Sequence, residues 1–595
     1  MKFSVILSFY DKDSDIEKTY DYLIRQVGTT CELEIIIVNS CEDNSAKERL
    51  GKLESALPDN ILLVNCSESA TKCNLLNAGL TYVSGDYILF VRAGDILNIK
   101  LIGTLEKISQ NTEPDIISFS CTKAHFEFDM FDDDPFDEHG FIAKNLEKES
   151  LIKSYVTNKD ISECYFCHAY RKEFIELTGA EFKDEASDED MVFSYPLLYR
   201  AGKVAYTKDH GYCILSKGNQ EDIQKRIANR LVSQVNLFQE LKDDRYISEL
   251  YKEEIDYHFI SEYYIKNLKL ARNTALEEGI NLATFEIMQY VCLNLVPKWI
   301  ENDYIYGLNR DELKLMKLLY RKFESEDELY KELRKDKLVS VVTTTHNRRE
   351  LLKKSIECIL WQTYQNIEYI IVDDCSDDDT RELVEAIDDK RIAYVRNSKN
   401  MGVSYSRNQG IIHSNGNYIV YQDDDDFCRL DKVEKEADRL FGLSEEYGIV
   451  YCESINHTRR IDGITDLPAI IIPERNKAKV KKEGYIFPAL LPKNFITSTA
   501  AMFRRKVFEE LGGYDENLFA YEDWEVLLKI TRDYLAGFIE EPLYDYYQRN
   551  NSLISSKDAD HRQKIIQSLY HIDKKYEEDR KQFGIETSFK ITHNS

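Results

Sequence analysis

The chain has 595 residues, of which 43% are hydrophobic and 31% charged, and its formal net charge at pH 7 is −28. This length exceeds what one compact core accommodates, so we expect two to four domains. The acidic balance argues against a general affinity for nucleic acid. Neither a signal-peptide pattern nor an apolar run of about 20 residues is present, so we predict a cytoplasmic protein without a transmembrane segment.

The first predicted element, an apolar strand at residues 3–9, opens a long internal repeat. Its counterpart is the strand at residues 339–345, and further landmarks recur at nearly the same distance. The matched positions, each 331 to 336 residues apart, are Ser4 and Ser340, Ser40 and Asp374, Gly85 and Gly416, and Asp190 and Asp523. The chain therefore contains two related copies of one domain.

Within each copy, apolar strands alternate with helical stretches, a pattern typical of βαβ units and a mostly parallel sheet. We predict an α/β protein with four segments: residues 1–217, a helical connector at 218–335, the second copy at 336–556, and a charged helix with a polar tail at 557–595. Ligands of such sheets bind at the carboxyl ends of the strands.

The most distinctive local pattern is the acidic run at residues 423–426, directly after an apolar strand. Carboxylates at a strand end suit a hard divalent cation, and manganese or magnesium fits best. An acidic surface turn is the alternative for such a run by itself. The motifs around it favour the metal site.

The order of motifs in the second copy resembles the family 2 glycosyltransferases of the GT-A fold. The resemblance covers about residues 336–556 and is carried by several ordered motifs. These are the segment 343–348 (TTTHNR), the acidic turn 372–377 (VDDCSD), Asn400-Met-Gly402, Arg407-Asn408, the acidic run, the segment 497–505, Gly512 to Asp515, and Tyr521-Glu-Asp523-Trp. The fold expected from it is a pair of Rossmann-like GT-A domains joined by helices.

The resemblance implies a nucleotide-sugar site in the second copy. Asp374 is placed to accept the imide hydrogen of a uracil, Thr345 to present backbone groups to the base, and Arg407 to support the nucleotide or its phosphates. UDP is therefore the favoured nucleotide. The residues implied for this site are Thr345, Asn347, Asp373, Asp374, Asn400, Arg407, Asp423 and Asp424.

The resemblance also implies a metal site. Asp423 and Asp425 would bind Mn²⁺ (or Mg²⁺), which bridges the diphosphate and stabilises charge on the leaving group. Many family members place a metal-binding histidine after the last strand, where this chain has Asn550. The third protein ligand therefore stays open between Asn550 and solvent.

Catalysis is assigned to Asp523 by the same resemblance. This carboxylate would take the proton from an acceptor hydroxyl as the oxygen attacks the anomeric carbon, so the outcome should be inversion in one displacement. Glu522 and Trp524 are assigned to the acceptor side. The sequence leaves Trp524 open as either a core residue or an acceptor platform.

The first copy has lost most of these residues. At the matching positions it carries Asn39, Ser40, Leu76, Arg92 and Gly94, and it keeps only Asp95 and Asp190. We therefore interpret residues 1–217 as a degenerate copy with a scaffolding, acceptor-binding or dimerisation role. A second, metal-free active site in which Arg92 supplies the positive charge is the alternative.

The sequence thus predicts an inverting, metal-dependent glycosyltransferase that moves a sugar from a UDP-sugar to a hydroxyl of a glycan, glycoprotein or lipid-linked acceptor. One alternative is a bifunctional polysaccharide polymerase with two active domains, and another is a non-catalytic glycan-binding protein. The basic segment 475–482 leaves peripheral membrane contact open. The sugar, the acceptor, the linkage and a homo-oligomeric state are not specified by the sequence.

Overall fold

The structure of the protein is a computed structural model. It describes residues 1–10, 15–26, 28–41, 48–51, 61–67, 69–125, 144–147, 152, 164–183, 189–216, 223–274, 279–458, 470–472, 481–548 and 559–585. The chain forms two compact units, Met1–Ala271 with Glu278–Leu308, and Arg272–Glu277 with Asn309–Ser595. The stretch at 218–335 contributes residues to both units.

The first half of the chain contains nine strands and ten α-helices in its described part. The strands are β1 (Lys2–Phe9), β2 (Glu32–Asn39), β3 (Ile61–Asn65), β4 (Tyr87–Arg92), β5 (Ile96–Leu97), β6 (Ile116–His125), β7 (Lys144–Glu147), β8 (His168–Arg171) and β9 (Lys203–Ser216). The α-helices are α1 (Ile16–Ile24), α2 (Lys72–Leu80), α3 (Leu101–Thr112), α4 (Lys172–Thr178), α5 (Glu189–Arg200), α6 (Ile223–Asp243), α7 (Arg245–Leu250), α8 (Lys252–Phe259), α9 (Asn267–Asn273) and α10 (Leu282–Leu295), and a π-helical segment at Ile260–Lys266 joins α8 to α9.

The second half repeats this pattern of strands and adds two C-terminal helices. The strands are β10 (Val339–Thr345), β11 (Ile367–Asp373), β12 (Ile392–Arg396), β13 (Tyr418–Tyr421), β14 (Phe427–Cys428), β15 (Tyr447–Thr458), β16 (Ile470–Ile472), β17 (Ala501–Arg504) and β18 (Leu535–Gln548). The α-helices are α11 (Arg310–Lys317), α12 (Glu326–Leu333), α13 (Arg349–Leu360), α14 (Thr380–Glu385), α15 (Val403–His413), α16 (Lys432–Gly442), α17 (Phe487–Leu490), α18 (Arg505–Leu511), α19 (Glu522–Asp533), α20 (Ala559–Lys575) and α21 (Glu577–Phe583).

The two units contain sheets of the same topology. The first has the order β3-β2-β1-β4-β8-β6-β9-β5, and the second has β12-β11-β10-β13-β17-β15-β18-β14. Strands β10, β11, β12 and β13 are parallel, whereas β17 pairs antiparallel with both β13 and β15. The predicted α/β class is confirmed, but the sheets are mixed rather than mostly parallel.

The internal repeat extends to individual hydrogen bonds. In the first unit, the Ser4 hydroxyl donates to Glu34 at 2.5 Å and accepts from the Gly85 amide at 2.8 Å. In the second unit, Ser340 donates to Glu368 at 2.6 Å and accepts from Gly416 at 2.9 Å. The same three elements are therefore joined by the same polar contacts in both copies.

A glycine in each unit lets a helix pack closely against the central strand. A Cβ atom at Gly410 in α15 would lie 2.2 Å from Cγ1 of Val342, and one at Gly79 in α2 would lie 2.6 Å from Cγ2 of Ile6. Both distances are far below van der Waals contact, so neither position has room for a methyl group.

We therefore expect Gly410→Ala to destabilise the protein by about 1–3 kcal/mol, because the added methyl group overpacks the contact with Val342. Thermal unfolding followed by circular dichroism would measure the change. Gly307→Ala is the matched control, since a Cβ atom there meets nothing within 4 Å. An unfolding midpoint of Gly410→Ala equal to that of the control would contradict the packing argument.

The C-terminal helix α20 is part of the core of the second unit. Ile572 and Tyr576 are buried in the hydrophobic cluster that also contains Trp524. The Lys575 ammonium donates to Glu525 at 2.6 Å, and the Tyr576 hydroxyl donates to the same carboxylate at 3.1 Å.

In the part of the chain described above, no helix is both long and apolar enough to cross a membrane.

Candidate active site

A cleft of about 1060 Å³ lies in the second unit, at the carboxyl ends of the neighbouring strands β11, β10 and β13. Parallel strands bring the residues that follow them to one edge of the sheet. The predicted site residues that line this cleft are Thr345, Asp374, Asn400, Arg407, Asp423, Asp424, Asp425, Glu522 and Asp523. Residues far apart in the sequence therefore share one cavity.

The acidic turn after β13 is fixed by the side chain of Gln422. Its amide nitrogen donates to the backbone carbonyl of Asp426 at 2.8 Å and to that of Asp423 at 3.1 Å. Gln422 and Asp426 are buried, and the Tyr544 hydroxyl donates to the Asp426 carboxylate at 3.2 Å. The turn thus directs residues 423–425 to the cleft and keeps Asp426 in the interior.

Two arginines contact the carboxylates of this turn. Nη1 of Arg348 donates to Asp424 at 3.0 Å and to Asp425 at 2.9 Å. Nη2 of Arg407 donates to Asp423 at 3.2 Å. The positive charges lower the repulsion between neighbouring carboxylates, which would otherwise be unfavourable at this spacing.

Asp424 is the most buried of the three carboxylates in the cleft. Its side chain is 5% exposed, compared with 32% for Asp423 and 18% for Asp425. Burial raises the pKa of Asp424 to about 6, although Arg348 opposes this shift. The Thr345 hydroxyl donates to its second oxygen at 2.8 Å. Asp424 therefore links β10 to the acidic turn, and the other two carboxylates face the open cavity.

Arg407 is a fixed cation in the wall of the cleft. Its side chain is only 7% exposed, and Nη1 donates to Glu522 at 2.7 Å. The guanidinium carbon lies 5.3 Å from the ring centroid of Tyr514, within the range of a cation–π contact. Arg407 thereby connects the acidic turn to the start of α19.

Asp523, the predicted base, lies in the first turn of α19 and faces the cleft. Burial, together with the neighbouring carboxylate of Glu522, raises the pKa of Asp523 to about 7 against the lowering effect of Arg407. The Asn494 amide donates to its Oδ2 at 3.3 Å. A carboxylate with a pKa near neutrality is suited to accept a proton from a hydroxyl and to release it again.

The wall next to Asp523 is fixed by the C-terminal helix α20. The Ser568 hydroxyl accepts hydrogen bonds from the backbone amides of Phe519 at 3.0 Å and Ala520 at 3.3 Å. Tyr521, the following residue, has a positive φ of 62°. A non-glycine residue is rarely found in this conformation, and it is maintained only where surrounding contacts hold it. These contacts orient the residues that lead into α19.

Asp374 follows β11 and is bound to the segment that contains Asn400. Its carboxylate accepts from the Asn397 amide and from the backbone amides of Met401 and Gly402, each at 2.8 Å. These bonds place Asn400 and the start of α15 beside Asp374 along the cleft. The arrangement fixes both chain segments of the predicted nucleotide side.

Three predicted residues are not among those that line the cleft. The Asp373 carboxylate is fully buried and accepts from the Ser376 amide and from Arg396. Asn347 bonds to the backbone of Asp377 at 2.7 Å and lies outside the cleft lining. Trp524 is in the core, where its indole nitrogen donates to the Leu490 carbonyl at 3.0 Å. Of the two interpretations that the sequence left open for Trp524, the core residue is the one that agrees with this burial.

Sequence reasoning did not assign a role to several residues of the cleft. Arg348, Asn494 and Tyr546 line it, and the first two contact acidic residues of the predicted site. Arg348 could have been found, because it follows β10 at the same sheet edge as the carboxylates. Asn494 and Tyr546 give no such signal, since they come from segments whose position depends on the folded chain.

The chemistry of the cleft fits a hard divalent cation. Asp423 and Asp425 offer carboxylate oxygens at the cavity surface, and magnesium is commonly held by one or two carboxylates together with water and substrate phosphates. Within the described ranges, no three His, Cys, Asp or Glu side chains form a metal-binding group. Asn550, the predicted substitute for a third ligand, lies outside the described residues.

The corresponding edge of the first unit has different chemistry. Nε of Arg92, at the position of Asp423, donates to Asp95 at 2.7 Å, and its guanidinium lies 4.4 Å from the ring centroid of Phe166. Leu76, at the position of Arg407, is fully buried. Asp190 lies at the start of α5, and its side chain is outside the described residues. The charge of Arg92 is thus balanced within the unit.

Comparison with known proteins identifies similarities in both halves of the chain. A family model described as glycosyl transferase family 2 matches residues 4–178 and 340–512. An uncharacterized glycosyltransferase of Haemophilus influenzae is 27% identical over 263 residues, which are 43% of this chain and 84% of that protein. The UDP-Glc:alpha-D-GlcNAc-diphosphoundecaprenol beta-1,3-glucosyltransferase WfaP of Escherichia coli is 35% identical over 117 residues, 19% of this chain and less than half (47%) of that protein.

Solved structures that match part of this chain include residues 1–349 of S. aureus TarS in complex with UDP-GlcNAc. The similarity has a TM-score of 0.41 at 14% sequence identity, and it covers 56% of this chain and 90% of that one. A mannosyltransferase from Pyrobaculum calidifontis, solved with GDP-Man and Mn²⁺, covers 39% of this chain and 69% of that one at 19% identity with a TM-score of 0.28.

Proposed function

The chain belongs to glycosyl transferase family 2 and is a glycosyltransferase, and we propose that its second copy, residues 336–556, is the active one. In this proposal it transfers a sugar from a UDP-sugar to a hydroxyl of a glycan, glycoprotein or lipid-linked saccharide. The reaction depends on a divalent metal ion and inverts the configuration of the anomeric carbon.

The observation that carries the proposal is the presence of two kinds of carboxylate in one cleft. Asp423 and Asp425 face the cavity from the turn after β13, and Asp523 faces it from the start of α19. Asp423 and Asp425 together suit a cation. The carboxyl of Asp523 has a pKa of about 7, which suits a base. In this proposal the cation stabilises the leaving diphosphate and the base accepts the proton of the acceptor hydroxyl.

On the donor side, the residues after β10 and β11 would bind the nucleotide. Asp374 would accept the imide hydrogen of uracil with lone pairs that its three internal hydrogen bonds leave available. Thr345 would contact the base through its backbone, and Arg407 would donate to phosphate oxygens. The 35% identity to a relative named for its use of UDP-Glc supports UDP as the nucleotide.

Asp423 and Asp425 would hold Mn²⁺ or Mg²⁺, which supplies positive charge for the leaving diphosphate. Asp523 would accept the proton of the acceptor hydroxyl. The acceptor oxygen would form a bond to the anomeric carbon while the bond from that carbon to the phosphate oxygen breaks and UDP leaves. Because attack and departure occur on opposite faces, the product has inverted configuration.

The alternative of two active domains has less support. Arg92 is the residue that would replace the metal in the first copy, yet its guanidinium is paired with Asp95 and stacked on Phe166. The first copy also carries Ser40, Arg92 and Gly94 at the positions of Asp374, Asp423 and Asp425, so it lacks the carboxylates that the second copy would use. We therefore propose that the first copy is a degenerate domain with a binding or scaffolding role.

A cytoplasmic location is also part of the proposal. All thirteen cysteines are free thiols, including Cys358 and Cys428, whose sulfur atoms are 3.3 Å apart. Unpaired cysteines are typical of reducing compartments.

A screen of UDP-sugars in the presence of Mn²⁺ would test the proposal. Donor hydrolysis and thermal stabilisation of the protein are the two measurements, because a bound donor raises the unfolding midpoint by mass action. We expect at least one UDP-sugar to give both signals and GDP-sugars to give neither. Signals that persist when Asp423 and Asp425 are both replaced by alanine would place the donor site elsewhere.

We predict that the transfer rate rises with pH and levels off above about pH 7, because Asp523 acts only as a carboxylate and its pKa is about 7. Below that pH the rate should fall about tenfold per unit. A kcat profile from pH 5 to pH 9 measures this. In Asp523→Asn the residual rate should lose this dependence, and a variant profile that keeps the wild-type midpoint would assign the titration to another group.

A further inference from the structure

We propose that Arg348 pairs with Asp425, one of the two proposed metal ligands, until the cation binds there, and that it then moves to the donor's diphosphate. This inference rests on the proposed function, since it concerns the same cation and the same donor. The Arg348 side chain would then have two opposed effects. Arg348 would weaken binding of the free cation and would strengthen binding of the nucleotide.

The geometry places one nitrogen of Arg348 between two carboxylates. Nη1 lies 2.9 Å from Oδ2 of Asp425 and 3.0 Å from Oδ1 of Asp424. The other oxygen of Asp424 is held by the Thr345 hydroxyl at 2.8 Å. Asp425 is the more exposed of the two carboxylates, so a cation that enters the cleft meets an oxygen already bonded to Arg348.

The two arginines of the cleft differ in how firmly they are held. The side chain of Arg407 is 7% exposed and is fixed by Glu522 and by the ring of Tyr514. The side chain of Arg348 is 44% exposed, and its polar contacts are with the acidic turn. Arg348 can therefore change partners without breaking the packing of the core, whereas Arg407 would reach a phosphate only with N–H groups that Glu522 and Asp423 leave available.

Electrostatics gives the direction of the exchange. A divalent cation on Asp425 competes for the same oxygen and repels the guanidinium, since two positive charges at contact distance are unfavourable. The diphosphate of the donor brings negative charge into the same cleft, and the planar guanidinium is well suited to bind phosphate oxygens in pairs. Arg348 also precedes α13, whose N-terminus favours an anion.

Calorimetric titrations of Arg348→Gln would test the exchange with two binding measurements. Titrated with Mn²⁺ in the absence of nucleotide, the variant should bind about 3- to 10-fold more tightly than wild type, because a competing cation is removed. Titrated with UDP at saturating Mn²⁺, it should bind about 10-fold more weakly, because a charge-assisted hydrogen bond is lost. Damage to the fold would weaken binding of both Mn²⁺ and UDP. Tighter binding of Mn²⁺ together with weaker binding of UDP therefore identifies the exchange.

Arg349→Gln is the matched control. Arg349 is the next residue, its side chain is 41% exposed and pairs with Glu350, and it does not line the cleft. Both affinities should match wild type in this variant. Arg348→Lys keeps the positive charge but removes the planar guanidinium. This variant should leave Mn²⁺ affinity near wild type and still weaken UDP binding.

Unchanged Mn²⁺ affinity in Arg348→Gln, or a loss of affinity for both ligands, would overturn this inference while leaving the proposed function intact. Wild-type protein that binds UDP-sugar but no Mn²⁺ would overturn both the inference and the metal dependence on which it rests. The two failures are therefore distinguishable in one set of titrations.

Discussion

Replacing Asp523 by asparagine should lower the rate of sugar transfer by about 10²- to 10⁴-fold, the contribution typical of a general base. Asparagine has nearly the same shape and can still bond to Asn494, but it cannot accept the proton of the acceptor hydroxyl. Donor binding should change little, because the nucleotide side of the cleft is built from other residues. Initial transfer rates at saturating donor would measure the loss.

The same substitution should not weaken the fold. The pKa of Asp523 is raised from its ordinary value to about 7 by burial, so the native state favours the protonated carboxyl. The contribution of the protonated Asp523 to the free energy of unfolding is fully present below the pKa that this residue has in the unfolded chain. That contribution is lost as the pH rises through about 7. At about pH 8 the asparagine variant should therefore unfold at or above the wild-type midpoint, whereas at about pH 4 the difference should vanish.

Asp533→Asn is the control for this prediction, because it makes the same change at the last residue of the same helix, at an exposed position. It should transfer sugar at the wild-type rate. A rate for Asp523→Asn within tenfold of that control would remove Asp523 from the role of base and would direct attention to the neighbouring Glu522.

Replacing Asp425 by alanine should lower transfer by at least about 100-fold, since charge stabilisation by a metal ion contributes several kcal/mol. Asp425 is partly exposed to the cleft, and its described partner is Arg348, so the loss should fall on cation and donor binding more than on stability. Titration with Mn²⁺ should show weakened binding in parallel with the rate.

Asp388→Ala, at an exposed position of the same unit, is the matched control and should retain wild-type rate and Mn²⁺ affinity. Wild-type turnover by Asp425→Ala would contradict the proposed metal site. A loss of turnover with unchanged Mn²⁺ affinity would instead assign Asp425 to direct contact with the substrate.

The sequence predicted the elements whose pattern is local. The strands at residues 3–9 and 339–345, the repeat that relates them and the sheet edge with the acidic run all follow from hydrophobic period and position. The antiparallel pairing of strand β17 could not be predicted from the sequence. A short apolar segment such as 501–504 has no local feature that determines which strands it pairs with. Its pairing depends on contacts with β13 and β15.

The local sequence pattern also did not predict the directions in which two adjacent side chains point. Asp373 and Asp374 are consecutive acids at a strand end, and the sequence assigned both to the nucleotide. Successive residues of a strand point to opposite faces, and here Asp373 is buried against Arg396 while Asp374 lines the cleft. Which of two neighbours faces the cavity depends on strand register, which only the folded structure supplies.

The bonds from Ser568 to the backbone of Phe519 and Ala520 have a consequence for how the enzyme matures. A ribosome makes the donor half of the cleft, from residue 343 onward, well before it makes residue 568. Residue 568 is made after every residue that lines the cleft, so the wall beside the proposed base lacks these bonds until helix α20 has been synthesised. Competence for transfer should arrive late in synthesis, when helix α20 docks.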